Sequence, residues 1–183
     1  MVLIHLATGF EEIEALTVCD LLRRVDVEVQ TVSVTGEKIV EGAHGIRVEA
    51  DGMFDPAKYD DCSMIVLPGG LPGAFNLQDH KGLEEQIRKF AEADRPLAAI
   101  CAAPLVFGAH GVLKGRKATI HPGMEANLTG AAAVDQPVVR DGNLITSQGP
   151  GTAMEFALEI VNFFRGEEVT ADLRKDLLLE RRV

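Results

Sequence analysis

Cysteine is scarce in this chain: Cys19, Cys62 and Cys101 are its three thiols. An odd count without framework spacing excludes a disulfide-stapled scaffold of the secreted type. No Cys-X-X-Cys pair occurs, which removes the zinc ribbon and the thioredoxin-type motif. No His-Glu-X-X-His or comparable spacing occurs either, so neither a metal nor a cofactor is assigned. Positive charge is in deficit, with 18 Lys and Arg against 28 Asp and Glu, a net charge of −10. Such a surface repels phosphate backbones and anionic lipid, so neither nucleic acid nor membrane is an expected partner. Long hydrophobic runs are missing. The longest uncharged stretch, Pro96 to Leu113, is broken by Pro104, Gly108 and Gly111 and reads poorly as a membrane span. The opening Val2-Leu3-Ile4-His5-Leu6-Ala7 is too short for a signal peptide and has no basic flank, so the cytoplasm is the expected location. Repeats, low-complexity segments and linkers are absent, and a single domain over residues 1–183 is expected.

Hydrophobic residues make up 46% and charged residues 25% of the 183, ordinary values for a globular protein with a buried core. Val2–Ala7 is a compact apolar run that reads as a buried strand. Thr8 with Glu11 three residues later predicts a capping box and a helix from near Glu11, with Ala15, Val18, Cys19 and Leu22 on one face. Val27–Val34, Met64–Leu67, Leu97–Ile100 and Ala118–Ile120 read as further strands, and Ile46–Ala50 alternates like an edge strand. Helices are expected over Lys81–Ala93 and just past Cys101. A hairpin is expected over Val138–Ile145 about Asp141-Gly142. Thr152 and Glu155 repeat the capping box and open a helix through about Phe164, followed by an amphipathic segment over Ala171–Leu179. Strands alternating with helices imply a mostly parallel α/β sheet with helices on both faces.

In such a sheet ligands bind outside the carboxyl ends of the strands. Four strand ends lead to the Glu11, Glu12, Glu14 cluster, to Gly69-Gly70, to Cys101 and to His121. Cys101 stands between Ala99 and Ala103, small residues of the kind a sharp strand-to-helix turn demands. A helix N-terminus there would lower the thiol's pKa and favour a nucleophilic thiolate; the competing reading is a buried structural cysteine. The N–H groups of Gly69-Gly70 and Ala102 would form an oxyanion site, unless the glycines are a plain turn. Glu14, if buried, would be protonated and hydrogen-bond the thiolate, whereas on the surface it is an ordinary helix charge. Glu11 and Glu12 are expected to face solvent or the helix dipole. His121 is a candidate proton shuttle; His5, His44, His80 and His110 are read as structural.

Taken together these segments resemble the ThiJ/PfpI superfamily, on the branch of the Parkinson-disease protein deglycase and its bacterial YajL-type relatives. The similar motifs are Glu11-Glu12-Ile13-Glu14, Val66-Leu67-Pro68-Gly69-Gly70 with Gly73-Ala74, Ala98 through Pro104, Thr119-Ile120-His121-Pro122, and Thr146 through Thr152 with Glu155-Phe156-Ala157. They run in order over essentially the whole chain. The resemblance implies a flavodoxin-like fold of the class I glutamine amidotransferase type and a homodimer. It implies Cys101 as nucleophile, Glu14 as its protonated partner, His121 nearby, and backbone donors at Gly70 and Ala102. It also implies cofactor-independent dicarbonyl chemistry: glyoxalase III-like conversion of methylglyoxal to lactate, action on glyoxal, or repair of glycated side chains and nucleotides. The alternative it carries is a redox-switched chaperone or oxidative-stress sensor. Two departures matter. The peptidase branch has histidine directly after the cysteine, where Ala102 stands here, and Ala103 occupies a position that is often glycine in close relatives.

Overall fold

The computed structural model describes residues 1–179. Strand β1 (Val2–Leu6) is buried on both faces, and the chain turns from it into helix α1 (Glu12–Arg24). There follow β2 (Val29–Ser33), a ribbon of β3 (Ile39–Glu41) and β4 (Arg47–Glu49), and the short β5 (Gly52–Met53). Strand β6 (Met64–Leu67) leads to α2 (Gly73–Asp79) and α3 (Lys81–Glu92), and β7 (Leu97–Ile100) to α4 (Pro104–Ala109). Then come β8 (Lys117–Ala118), β9 (Ala132–Ala133), the hairpin β10 (Val138–Asp141) and β11 (Leu144–Ser147), and α5 (Ala153–Asp176).

The main sheet has the order β10-β11-β7-β6-β1-β2-β5. Every pair in it is parallel except β10 with β11. This is the expected α/β, flavodoxin-like architecture. Period-two alternation divides its core into two layers. Val2, Ile4, Leu6, Val66 and Ile100 pack beneath α1 and α5, against Val18, Leu22, Phe156 and Ile160. Leu3, Ile65, Leu67 and Ala99 pack beneath α2, α3 and α4, against Leu77, Ile87, Phe90 and Phe107. Each such large side chain contributes roughly 1.5–3 kcal/mol by leaving water. The strand order reverses at β1, which has β2 on one side and β6 on the other. The carboxyl ends of β1, β6 and β7 therefore open on the crevice where α/β sheets bind ligands.

His5 sits in the second layer, fully buried. Its Nδ1 lies 3.2 Å from the Val66 carbonyl and its Nε2 2.6 Å from the Tyr59 hydroxyl. One neutral tautomer satisfies both, donating from Nδ1 and accepting at Nε2. Burial pushes its pKa down to about 4 against the pull of the Val66 carbonyl.

Several local expectations shift. Neither capping box forms: α1 has Glu11 as its N-cap without a side-chain bond, and Thr8 lies outside it. Thr152 turns its hydroxyl to Ser147 and Gly149 instead of capping α5. The hairpin turns on Gly142-Asn143, one residue later than expected, because Asp141 pairs with Leu144 and Gly142 takes the positive φ of +61°. Gly166, at φ +81° and ψ 175°, interrupts α5, which explains why two helical segments are legible there. Ile46–Ala50 contributes to the separate β3–β4 ribbon, and β8 pairs with β9 outside the main sheet. The residues after Gly70 form α2, a helix the glycine-rich sequence did not suggest.

Candidate active site

Cys101 follows directly on β7 and has a φ of +61°, a left-handed conformation costing about 1–2 kcal/mol for a residue with a side chain. Its amide donates to the Ser147 carbonyl at 2.9 Å, and its own carbonyl accepts from the His121 amide at 2.9 Å. The turn is thus clamped from β11 and from the segment after β8. Ala102 and Ala103 are buried beside it, so the crowding that calls for small neighbours is real. Cys101 is half-buried, while Cys19 and Cys62 are buried.

The end of β6 closes over this turn. Gly70 has φ +87°, and a Cβ there would lie 2.4 Å from the Gly9 carbonyl oxygen and 2.5 Å from the Glu11 nitrogen. A Cβ at Gly69 would lie 2.6 Å from that of Cys101. The glycines are therefore required by close backbone approach. The amides divide their work in a way the sequence did not disclose. Gly69 N–H is taken by Glu14 Oε2 at 2.7 Å, so it is not available to an oxyanion. The Gly70 and Ala102 amides lie close enough to the Cys101 sulfur to favour its anion.

Glu14, on the first turn of α1, is fully buried. Among the described residues its Oε1 has no hydrogen-bond partner. Burial pushes its carboxyl up to about 7, against the Gly69 amide and Cys101, with the Glu11 charge adding to the rise. The Cys101 thiol is pushed up to about 12, first by burial, then by the Glu14 charge and hydrogen bond; the Gly70 and Ala102 amides oppose this. The expected depression of the thiol by a helix N-terminus is overturned. Burial and the Glu14 charge outweigh the Gly70 and Ala102 amides, and α4 begins only at Pro104, beyond the turn. With the proton on Glu14 the opposing charge is removed, so the two groups titrate as one coupled pair.

His121 is brought close through its backbone. Its ring is exposed, with Nδ1 3.0 Å from the Pro122 carbonyl, and among the described residues no hydrogen bond joins it to the sulfur. Glu11 and Glu12, expected to face solvent, are buried instead at 7% and 4% exposure. Glu12 Oε1 accepts from the His44 amide at 2.9 Å, and its Oε2 meets His44 Nδ1 at 2.9 Å. His44 was read as structural; its place at this rim comes from a loop 32 residues away, for which no motif exists.

A thiol on a strained strand-to-helix turn, coupled to a buried carboxyl at the switch point of a parallel sheet, defines an elbow-cysteine α/β protein. The chain belongs to the DJ-1/PfpI family, whose model matches residues 1–163. It is 41% identical over 179 residues to Protein DJ-1 homolog B of Arabidopsis thaliana, covering 97% of this chain but 41% of that relative. The chain thus spans less than half of that plant protein. It is 35% identical over 173 residues to the Caenorhabditis elegans protein named glutathione-independent glyoxalase DJR-1.2, covering 93% of this chain and 91% of that one. Among solved structures, oxidized Toxoplasma gondii DJ-1 superimposes with a TM-score of 0.91 at 33% identity, covering 97% of each chain.

Proposed function

We propose that this protein is a cofactor-independent, Cys101-dependent enzyme of dicarbonyl detoxification that converts methylglyoxal to lactate. The observation that carries the reading is the fully buried Glu14 carboxyl beside Cys101, the two meeting over Gly69, where burial pushes the carboxyl up to about 7. A carboxyl poised near neutrality serves proton transfer in both directions. The name of the nematode relative supports the same chemistry.

Glu14 takes the thiol proton and the sulfur attacks the aldehyde carbon. The carbonyl π electrons move to oxygen, which is held by the Gly70 and Ala102 amides and is then protonated by Glu14 to give a hemithioacetal. Removal of the C1 proton and its return at C2 passes through an enediol and leaves the lactate thioester. Water cleaves that ester, so the sum is methylglyoxal plus water to lactate. Glu14 is the better placed base for the C1 proton, since the His121 ring is turned to Pro122. His121 then serves the mouth of the site. Glyoxal and glycated side chains offer the same reacting carbon. We place the protein in the cytoplasm as a homodimer joined through α1.

The test is lactate formation from methylglyoxal without glutathione, by wild type and Cys101→Ser. Lactate from wild type alone supports the proposal; equal rates, or none from either, overturn it. A redox-sensing role is the second reading. It is favoured by Cys101 being the one cysteine of the three with partial exposure.

A further inference from the structure

We propose that Glu11, Glu12 and His44 form a binding site for one divalent transition-metal ion of the zinc type, at the rim of the Cys101 crevice. Each residue offers a ligand atom, and these atoms all lie within 4.8 Å of one another. His44 Nδ1 stands 2.9 Å from Glu12 Oε2 and 3.5 Å from Glu11 Oε2. Ligands bonded at about 2.0–2.1 Å around a tetrahedral ion are roughly 3.3 Å apart, and the two His44 separations lie on either side of that distance.

Glu11 points to a cation independently. Its side chain is 9% exposed and its carboxylate makes no hydrogen bond among the described residues. Its ion pair is with His44 Nδ1, which serves Glu12 at the shorter distance. A nearly buried carboxylate that shares one His44 nitrogen with Glu12 is incompletely compensated, and a bound cation supplies the missing positive charge. Charge balance agrees. Glu12 and Glu14 lie in the first turn of α1 and Glu11 is its N-cap, the Glu11 charge reaches Glu14, and His44 is the basic side chain that Glu11 and Glu12 meet.

The site is also held in place and open. Gly42 packs directly against the Glu12 carboxylate, where a Cβ would lie 2.3 Å from Glu12 Oε1. The Ala43 amide donates to the Phe10 carbonyl at 2.8 Å, which fixes the loop carrying His44. His44 itself is 68% exposed, so an ion can enter and keep water in a fourth position. Binding uses the Nδ1 lone pair, with the ring proton on Nε2; a ring that starts as imidazolium releases one proton to solvent. Two carboxylates and an imidazole suit zinc, whereas magnesium prefers six oxygens.

The test is titration of the full chain with zinc chloride by calorimetry, for wild type, Cys101→Ser, His44→Ala and Glu11→Gln. One ion per chain is expected for wild type and Cys101→Ser, with affinity at least roughly tenfold weaker in His44→Ala and Glu11→Gln. Magnesium chloride should not compete. Circular dichroism checks that each variant is folded. Cobalt(II) gives a second readout: wild type and Cys101→Ser should show the same tetrahedral visible spectrum without thiolate charge-transfer absorption. No binding by wild type, unchanged affinity in His44→Ala, or binding lost only in Cys101→Ser would each overturn the site.

Discussion

Gly69 gives its amide to Glu14 at 2.7 Å across 55 residues of sequence, tying the loop after β6 to the first turn of α1. That bond orients the carboxyl against the sulfur and leaves Gly70, not Gly69, as a donor to it.

Gly69→Ala should therefore damage the site directly. Its methyl would meet the Cys101 Cβ at 2.6 Å, Glu14 Oε2 at 2.9 Å and the Ala102 amide nitrogen at 3.0 Å. Two of these belong to a rigid turn, so the loop must move. A stability loss of about 1–3 kcal/mol is expected from such overpacking, with a larger proportional loss of lactate formation. Denaturant unfolding and turnover, measured on the same preparation, check both.

Glu14→Gln should separate thiol acidity from catalysis. The carboxylate charge is one cause that raises the Cys101 thiol, so its removal should lower the thiol's pKa. Turnover should nevertheless fall by roughly 100-fold or more, because an amide cannot exchange the proton. The pH dependence of alkylation reads the first effect and the lactate assay the second. An unchanged thiol titration would remove Glu14 as the partner.

Acid stability should show two opposed contributions. Glu14 is raised in the folded state from 4.5 to about 7, so its contribution is full below pH 4.5 and is lost as pH rises through 7. His5 is lowered from 6.5 to about 4, so its contribution is present above pH 6.5 and is lost as pH falls to 4. Each is worth about 3 kcal/mol over its window. Relative to wild type, Glu14→Gln should lose more stability at pH 4.5 than at pH 7, and His5→Gln more at pH 7 than at pH 4. Denaturant midpoints at these pH values decide it, and equal losses at both ends contradict the assignment.

Dimerisation should depend on the outer face of α1. Ile13 and Leu16 are 55% and 39% exposed there, one turn apart. Cys19, three residues beyond Leu16, is buried in the core and is not available to a partner. Wild type should sediment as a dimer at micromolar concentration, and Leu16→Glu as a monomer.

Peroxide should reach Cys101 before the other thiols. Burial raises Cys19 and Cys62 and keeps them from solvent, whereas Cys101 opens on the crevice and has Gly70 and Ala102 amides to hold an anion. Oxidation should stop at sulfinate. Peptide mass mapping should find two added oxygens on the Cys101 peptide first; simultaneous oxidation of all three cysteines would contradict this.

Elements whose signals are local were legible in the sequence. The apolar runs of β1, β6 and β7 identified buried parallel strands. The small residues around Cys101 marked the sharp turn. Glu14, Gly70 and His121 were singled out by the strand ends that lead to them and Ala102 by following Cys101; burial then places Glu14 beside the cysteine. Tertiary structure decided what depends on residues far apart in the chain. Burial of Glu14 under the Gly69 loop set its pKa, and the same burial pushed the thiol up where a helix dipole was expected to pull it down. The turn of His121 toward Pro122, and the meeting of His44 with Glu11 and Glu12, follow from loop packing that leaves no periodic trace. Period and turn chemistry are written residue by residue, but desolvation and charge coupling belong to neighbours that only the folded chain brings together.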